Sequence, residues 1–257
     1  MKKLFMLSML AILTLTLVGC GKSGSGASGI TDSSQALEEM TLKEALTKKG
    51  TQIWYEINTD EDEAFRLDKE QTIQKVFIFK DGKVFITDIR KIKEEKSDFK
   101  NQKYSSISLG EIAKMTDEEI IKATEVYKQE QEEWYKYCLD DVAHTDDDES
   151  SCDSYKKTIN NFNKYEPITF GIITDSTGNN TQTEYFSTKT YKKIWAQGDI
   201  KGNYGPYQIY DTYFCGYQDY DFYDGEFDDD VFITKCKSNS VYTLDKVGTK
   251  GISIDED

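Results

Sequence analysis

I-Q-K-V-F-I-F-K-D-G-K-V-F-I-T-D, Ile73 to Asp88, decides the fold. Two runs of β-branched and aromatic residues flank Asp81-Gly82. Such a dipeptide between apolar runs signals a two-residue type I′ hairpin, because both turn positions need a positive φ. Upstream, T-Q-I-W-Y-E-I-N, Thr51 to Asn58, reads as a further strand. Near-alternating apolar positions in two of these three segments predict a sheet with one buried face.

Helical signals lie on either side of this core. Thr41-Leu-Lys-Glu44 is a capping-box pattern that opens a short helix, and Gly50 can end it. Ser108-Leu-Gly-Glu111 and Thr116-Asp-Glu-Glu119 are two more. The second predicts the longest helix, Asp117 to Leu139, with Ile120, Thr124, Tyr127, Trp134 and Cys138 as its core-facing stripe. Arg90 to Lys103 is the most basic stretch and reads as a solvated face. Asp140 to Ser151 reads as an acidic loop, and Ser154 to Asn163 as a weaker helix.

From Pro167 onward the pattern is β. Ile168–Asp175 and Thr181–Phe186 flank the turn Ser176–Asn180, and further strands are expected at 191–196, 207–214, 231–236 and 240–245. The βαβ alternation of a parallel α/β fold is missing. The reading is an α+β fold, mostly antiparallel sheet with one long helix and room for two small subdomains. Its regions are 41–140 (hairpin and long helix), 141–165 (acidic connector) and 166–257 (β-rich).

Y-G-P-Y-Q-I-Y-D-T-Y-F-C-G-Y-Q-D-Y-D-F-Y-D, from Tyr204, repeats tyrosine every three or four residues. The glycines and proline exclude a helix, and a spacing of three puts successive tyrosines on opposite faces of a strand. Sheet wall is the main reading, and an exposed remainder of tyrosines would suit binding of a glycan or protein. Acids follow. Asp219, Asp221, Asp224, Asp228 and Asp230 form a candidate calcium loop, since calcium takes six to eight oxygens, although EF-hand spacing is absent. Asp146, Asp147, Asp148 and Glu149 are a second acidic group. Solvated charge is the simpler reading of both.

The net charge of −15 disfavours nucleic acid, whose phosphates would repel the chain. The chain starts with Lys2 and Lys3, then an apolar run from Leu4 to Val18, too short for a membrane span of roughly 20 residues. This reads as an export signal over 1–19. Its end, Leu17-Val18-Gly19-Cys20, resembles a bacterial lipobox, in which Cys20 becomes the lipid-bearing first residue. Two or more acyl chains anchor a protein stably where one does not. Residues 20–40 then read as the anchoring cysteine and a Gly/Ser linker, whose first 15 or so residues reach roughly 20 Å.

Four cysteines remain: Cys138, Cys152, Cys215 and Cys236. An even count in an exported chain predicts disulfides, with three pairings open. Cys138–Cys152 with Cys215–Cys236 is favoured, because each pair brackets an acid-rich segment.

Q-I-W-Y-E-I, F-K-D-G-K-V-F, S-L-G-E-I-A-K-M-T-D-E-E-I-I-K and T-D-S-T-G-N-N-T-Q-T-E resemble segments of uncharacterised cell-surface lipoproteins of low-GC Gram-positive bacteria. That resemblance implies a lipid anchor on the outer face of the cell membrane, and carries over no catalytic residue.

The chain has one histidine, His144, in the acidic connector, so triad catalysis lacks a well-placed base. No phosphate-binding loop or Cys-x-x-Cys occurs. The expectation is a non-enzymatic, membrane-anchored extracellular protein with a binding or envelope-interaction role. Its partners would be the bilayer through Cys20 and a cell-wall or surface-protein ligand. The alternative is a wall glycan hydrolase using paired carboxylates, which their spacing in space would reveal.

Overall fold

A computed structural model describes residues 36–59, 67–92, 104–142, 149–197, 204–223 and 226–255. Residues 36–257 form one compact unit. All described core residues and both disulfides lie inside it, so it is the part expected to fold by itself. It opens with strand β1 (Glu38–Thr41), helix α1 (Leu42–Thr47) and strands β2 (Thr51–Thr59), β3 (Ile73–Lys80) and β4 (Lys83–Thr87). Short strands β5 (Lys91–Ile92) and β6 (Tyr104–Ser105) precede helices α2 (Leu109–Ile112), α3 (Asp117–Val142) and α4 (Glu149–Asn161). The rest is β: β7 (Glu166–Pro167), β8 (Thr169–Thr174), β9 (Thr181–Ser187), β10 (Ile194–Gln197) and β11 (Tyr204–Ile209), followed by β12 (Thr212–Tyr223), β13 (Glu226–Cys236), β14 (Ser240–Thr243) and β15 (Ile252–Asp255).

The α+β class and the dominance of antiparallel pairing agree with the sequence. Asp81 and Gly82 have φ of 51° and 71°, as a type I′ turn requires. Lys80 pairs with Lys83, and the β3–β4 ladder runs from there. Thr41 and Ser108 both make full capping boxes. The Thr116 N–H donates to Glu119 Oε2 (2.8 Å), while the Glu119 N–H donates to Thr116 Oγ1 (3.3 Å).

Eleven strands share one sheet in the order β15-β8-β9-β10-β12-β13-β2-β3-β4-β7, with β11 also paired to β12. β7 and β8 are separated only by Ile168, whose N–H donates to the Gly82 carbonyl at 3.2 Å. The segment from Glu166 to Thr174 therefore pairs with β4 at its start and with β9 from Thr169 onward. The pairing closes on itself, and the sheet is a barrel.

This corrects two expectations. The sheet is buried on both faces, not one. Trp54, Phe77, Phe79, Phe186, Tyr217 and Phe232 fill the inside. Trp54 stacks on Phe232 with centroids 4.7 Å apart, and Phe77 meets Phe232 edge-on at 5.1 Å. The alternate residues Ile53, Tyr55, Val76, Ile78 and Ile233 face outward, under Leu109, Ile112 and Ile120 of the helices. Runs such as V-F-I-F have no polar alternate because neither face meets water. Second, regions 41–140 and 166–257 do not divide into subdomains, because β2 and β13 are paired over Trp54–Thr59 at the centre of the sheet.

Other boundaries move. Glu38–Thr41 pairs in parallel with Ser240–Thr243, so the linker ends before residue 40. The strand expected at 207–214 is broken at Tyr210, whose φ is 55°, and Ile209 pairs with Thr212 across the turn. Tyr204 and Tyr217 are buried on opposite faces of the sheet, Tyr207 and Tyr213 are half-buried and Tyr210 is 48% exposed, so the described tyrosine side chains of the stripe are divided between sheet wall and surface. Gly216 allows close strand crossing, as a Cβ there would lie 2.1 Å from the Phe232 carbonyl oxygen. Helices α3 and α4 overrun the expected acidic loop, leaving 143–148 between them. Only the first turns of α3 are core, with Ile120 and Thr124 buried. Farther along, its stripe pairs with α4: Trp134 stacks on Tyr155 at 6.2 Å, and Cys138 is bonded to Cys152.

Trp54 is 1% exposed at the centre of the aromatic interior. Trp54→Ala is expected to cost about 3–5 kcal/mol. That is a fall of roughly 6–20 °C in Tm for a unit of this size. Ile254, 51% exposed on β15, is the control. Ile254→Ala should stay within about 0.5 kcal/mol. Urea unfolding of both variants measures the difference, and equal losses would remove the interior from its central role.

Candidate functional site

The predicted site residues scatter. Cys20, His144, Asp146, Asp147, Asp148 and Asp224 lie outside the described residues. Glu149 begins α4. The four other cysteines form the favoured disulfides, Cys138–Cys152 and Cys215–Cys236. Asp219 and Asp221 stand in β12, and Asp228 and Asp230 in β13, where Asp219 pairs with Asp230 and Asp221 with Asp228. The described parts of the candidate calcium loop, 219–223 and 226–230, are thus paired antiparallel strands. Only the backbone of these parts is described. Among the described residues, no group of three or more His, Cys, Asp or Glu could hold a metal ion.

The fold brings together two carboxylates that the sequence reading did not single out. Glu184 shares the inward face of β9 with Phe186 and is fully buried. Its Oε2 accepts the Asp245 N–H at 2.8 Å. The Asp245 carboxylate accepts the Lys43 N–H at 2.9 Å in the first turn of α1. Nearby, the Tyr217 hydroxyl donates to the Thr243 carbonyl at 3.0 Å. Residues 243–245 and α1 thus close one end of the barrel with a buried polar layer. Burial pushes the Glu184 carboxyl up to about 9, with the Asp245 carboxylate adding to the rise and the Asp245 N–H opposing it. Glu184 is held neutral and out of reach of solvent, which suits a structural proton and not attack on a substrate.

The accessible site lies at the barrel seam. β7 covers only Lys83 and Val84 of β4. Going back from β7, the chain turns away at Tyr165, whose ring packs on Phe85 at 5.8 Å, and enters α4. A cleft of about 530 Å³ opens between the uncovered part of β4, helix α4 and the segment Thr188–Tyr191. That is within the range of ligand sites. Its rim is braced by Glu166, which accepts the Thr190 N–H (2.9 Å) and the Thr190 hydroxyl (2.6 Å). Those bonds hold its carboxyl below the usual range.

Asp88 and Tyr127 at the cleft connect to a charged network. The Arg90 guanidinium pairs with Glu130 at 3.1 Å and with Asp88 at 3.4 Å, and lies 5.2 Å from the Tyr127 ring centre. Burial raises the Asp88 and Glu130 carboxyls, and Arg90 opposes the rise in both. Arg90 is therefore not part of a solvated basic face. Lys91, next to it, pairs with Glu111 at 2.5 Å.

Comparison with protein-family models, with curated proteins and with solved structures gives no match.

Glu184 had a signal in the sequence, since T-Q-T-E-Y-F places a carboxylate two residues before Phe186 and so on the same face of the strand. The cleft had none, because it depends on where the chain leaves the sheet.

The native state keeps a proton on Glu184 that the unfolded chain releases near pH 4.5. This contribution to stability is complete below about pH 4.5 and is lost as pH rises toward about 9. The loss between pH 4.5 and 7 is on the order of 3 kcal/mol. Glu184→Gln should flatten that component of the pH dependence. Urea unfolding at pH 5, 7 and 9 measures it, and identical slopes in both proteins would show that Glu184 does not titrate with folding.

Proposed function

We propose that this chain is a lipid-anchored extracellular protein that acts by binding, with the seam cleft as its binding site. The observation that carries the reading is the uncovered stretch of β4 inside that cleft. A sheet edge to which no described strand pairs beyond Val84, lining a cleft of mixed polar and apolar side chains, suits a ligand. The lipobox at Leu17–Cys20 and the linker behind it would set the domain off the outer membrane face. Two disulfides suit an oxidising compartment. The Glu184–Asp245 layer is closed to solvent, so that carboxylate pair offers a glycan no access and does not favour hydrolysis.

Anchoring and binding are separable. Cys20→Ser should move the protein from the detergent phase to the aqueous phase in Triton X-114 partition, and the mass of the wild-type amino-terminal peptide should carry the lipid. Unchanged partition would remove the anchor. For binding, the 36–257 unit should sediment with purified walls of the cells that make it. Ser154→Trp, which fills the cleft from the exposed face of α4, should reduce the bound fraction at least fivefold. Retention that ignores this substitution, or no retention at all, would end the binding reading of the cleft.

A further inference from the structure

We propose that the seam cleft takes an extended acidic peptide, which adds as a strand to the open edge of β4. The inference rests on the reading of the cleft as a binding site and names the chemistry of its ligand.

The hairpin register shows which backbone groups are offered. Lys80 and Lys83 close the two-residue turn, so Lys83 directs its N–H and C=O toward β3. Val84, one residue on, directs its own to the opposite side, where Glu166 of β7 pairs with it. Ile86 continues that side by alternation, whereas Asp88 lies past the end of β4 and its carbonyl accepts the Thr87 hydroxyl at 3.2 Å. Among the described residues no strand pairs with β4 there beyond Val84. The stretch of β4 past Val84, Phe85 to Thr87, spans about 10 Å of strand. A short segment laid along it would extend the barrel seam that β7 begins, in the manner of β-strand addition.

Charge selects the kind of peptide. The chain carries −15 overall, yet Lys157, Lys164 and Lys189 line this cleft. The two acids that also line it are engaged, Asp88 with Arg90 and Glu166 with Thr190. The lysines stand on two walls, α4 with the turn behind it and the 188–191 segment, where they meet carboxylates on an incoming strand. Tyr191, 41% exposed on the rim, adds apolar contact. An anionic polymer such as polyphosphate would satisfy the lysines, but it supplies only acceptors and leaves the Ile86 carbonyl without a donor. A peptide satisfies both, and the observations favour it.

The probe is a fluorescein-labelled Glu-Val-Thr-Val-Glu peptide, titrated into the 36–257 unit by fluorescence anisotropy. Saturable binding is expected, with the Ile86 amide shifting in ¹⁵N-correlated spectra. The Lys-Val-Thr-Val-Lys counterpart, and the Lys157→Glu, Lys189→Glu double variant, should each weaken binding at least tenfold. N-methylation of the three central amides should do the same by removing strand pairing. Ile86→Pro removes the N–H of Ile86, a change tolerated at an open edge. If that variant fails to fold, the methylated peptide alone decides.

Binding that N-methylation leaves intact overturns strand addition. Competition by polyphosphate together with indifference to N-methylation assigns the cleft to a polyanion and overturns the inference. So does self-association through the cleft that excludes the peptide. If walls retain the unit in a cleft-dependent way while every peptide fails to bind, the peptide inference is wrong and the binding reading stands. If neither binds, both fall.

Discussion

The structure depends on the closure of its sheet at the Asp81-Gly82 turn. The Gly82 carbonyl receives the Ile168 N–H, and two further residues of β7 pair with the start of β4. That short seam joins the first strands of the sheet to the later ones and turns an open sheet into a barrel. Closure gives Trp54, Phe77, Phe79 and Phe232 an enclosed interior shared with Phe186 from the far side of the ring. Large aromatic side chains contribute most when fully removed from water, and edge-on and offset contacts add to that. With the inner face enclosed, the equally apolar outer face must be covered, which is the role of α2, the start of α3 and the chain around Leu67 and Ile107.

An aromatic barrel still needs an end. Here it is polar. Glu184, Asp245, Tyr217 and the first turn of α1 form a layer linked by backbone hydrogen bonds. Burying a carboxylate in this place would be costly as an anion, so the group keeps its proton. The layer ties α1 and the segment after β14 to β9, elements far apart in sequence. Its stability depends on pH in the direction opposite to that of a salt-bridged carboxylate.

The seam that closes the barrel also opens the cleft. After α4 the chain pairs with β4 only through Glu166 and Pro167, so among the described residues no strand pairs with that edge of β4 beyond Val84. The helical hairpin is fixed at its far end by Cys138–Cys152 and by the Trp134–Tyr155 stack, and the α4 side of the cleft is its wall. One route of the chain thus sets both the closure and the gap. Lys157 of α4 and Lys189 of the 188–191 segment line that gap from either side.

Much of the local structure was legible in the sequence. The Asp-Gly dipeptide fixed the hairpin, because few other pairs tolerate two positive φ values. Thr41, Ser108 and Thr116 marked three helix starts, because each has a glutamate three residues on to complete the box. The cysteine pairing followed from local bracketing, which favours short loops. Strand ends were less legible: Tyr210 takes a left-handed turn that tyrosine seldom adopts, and the acids of 226–230 look like loop until β12 supplies the partner. What only tertiary structure decided is long-range. Sheet closure, burial of both faces, the meeting of Glu184 with Asp245 and the cleft beside Ile86 each join residues tens to hundreds of positions apart. Periodicity records which side of a strand is apolar, but it does not record which element comes to cover that side or which edge is left bare.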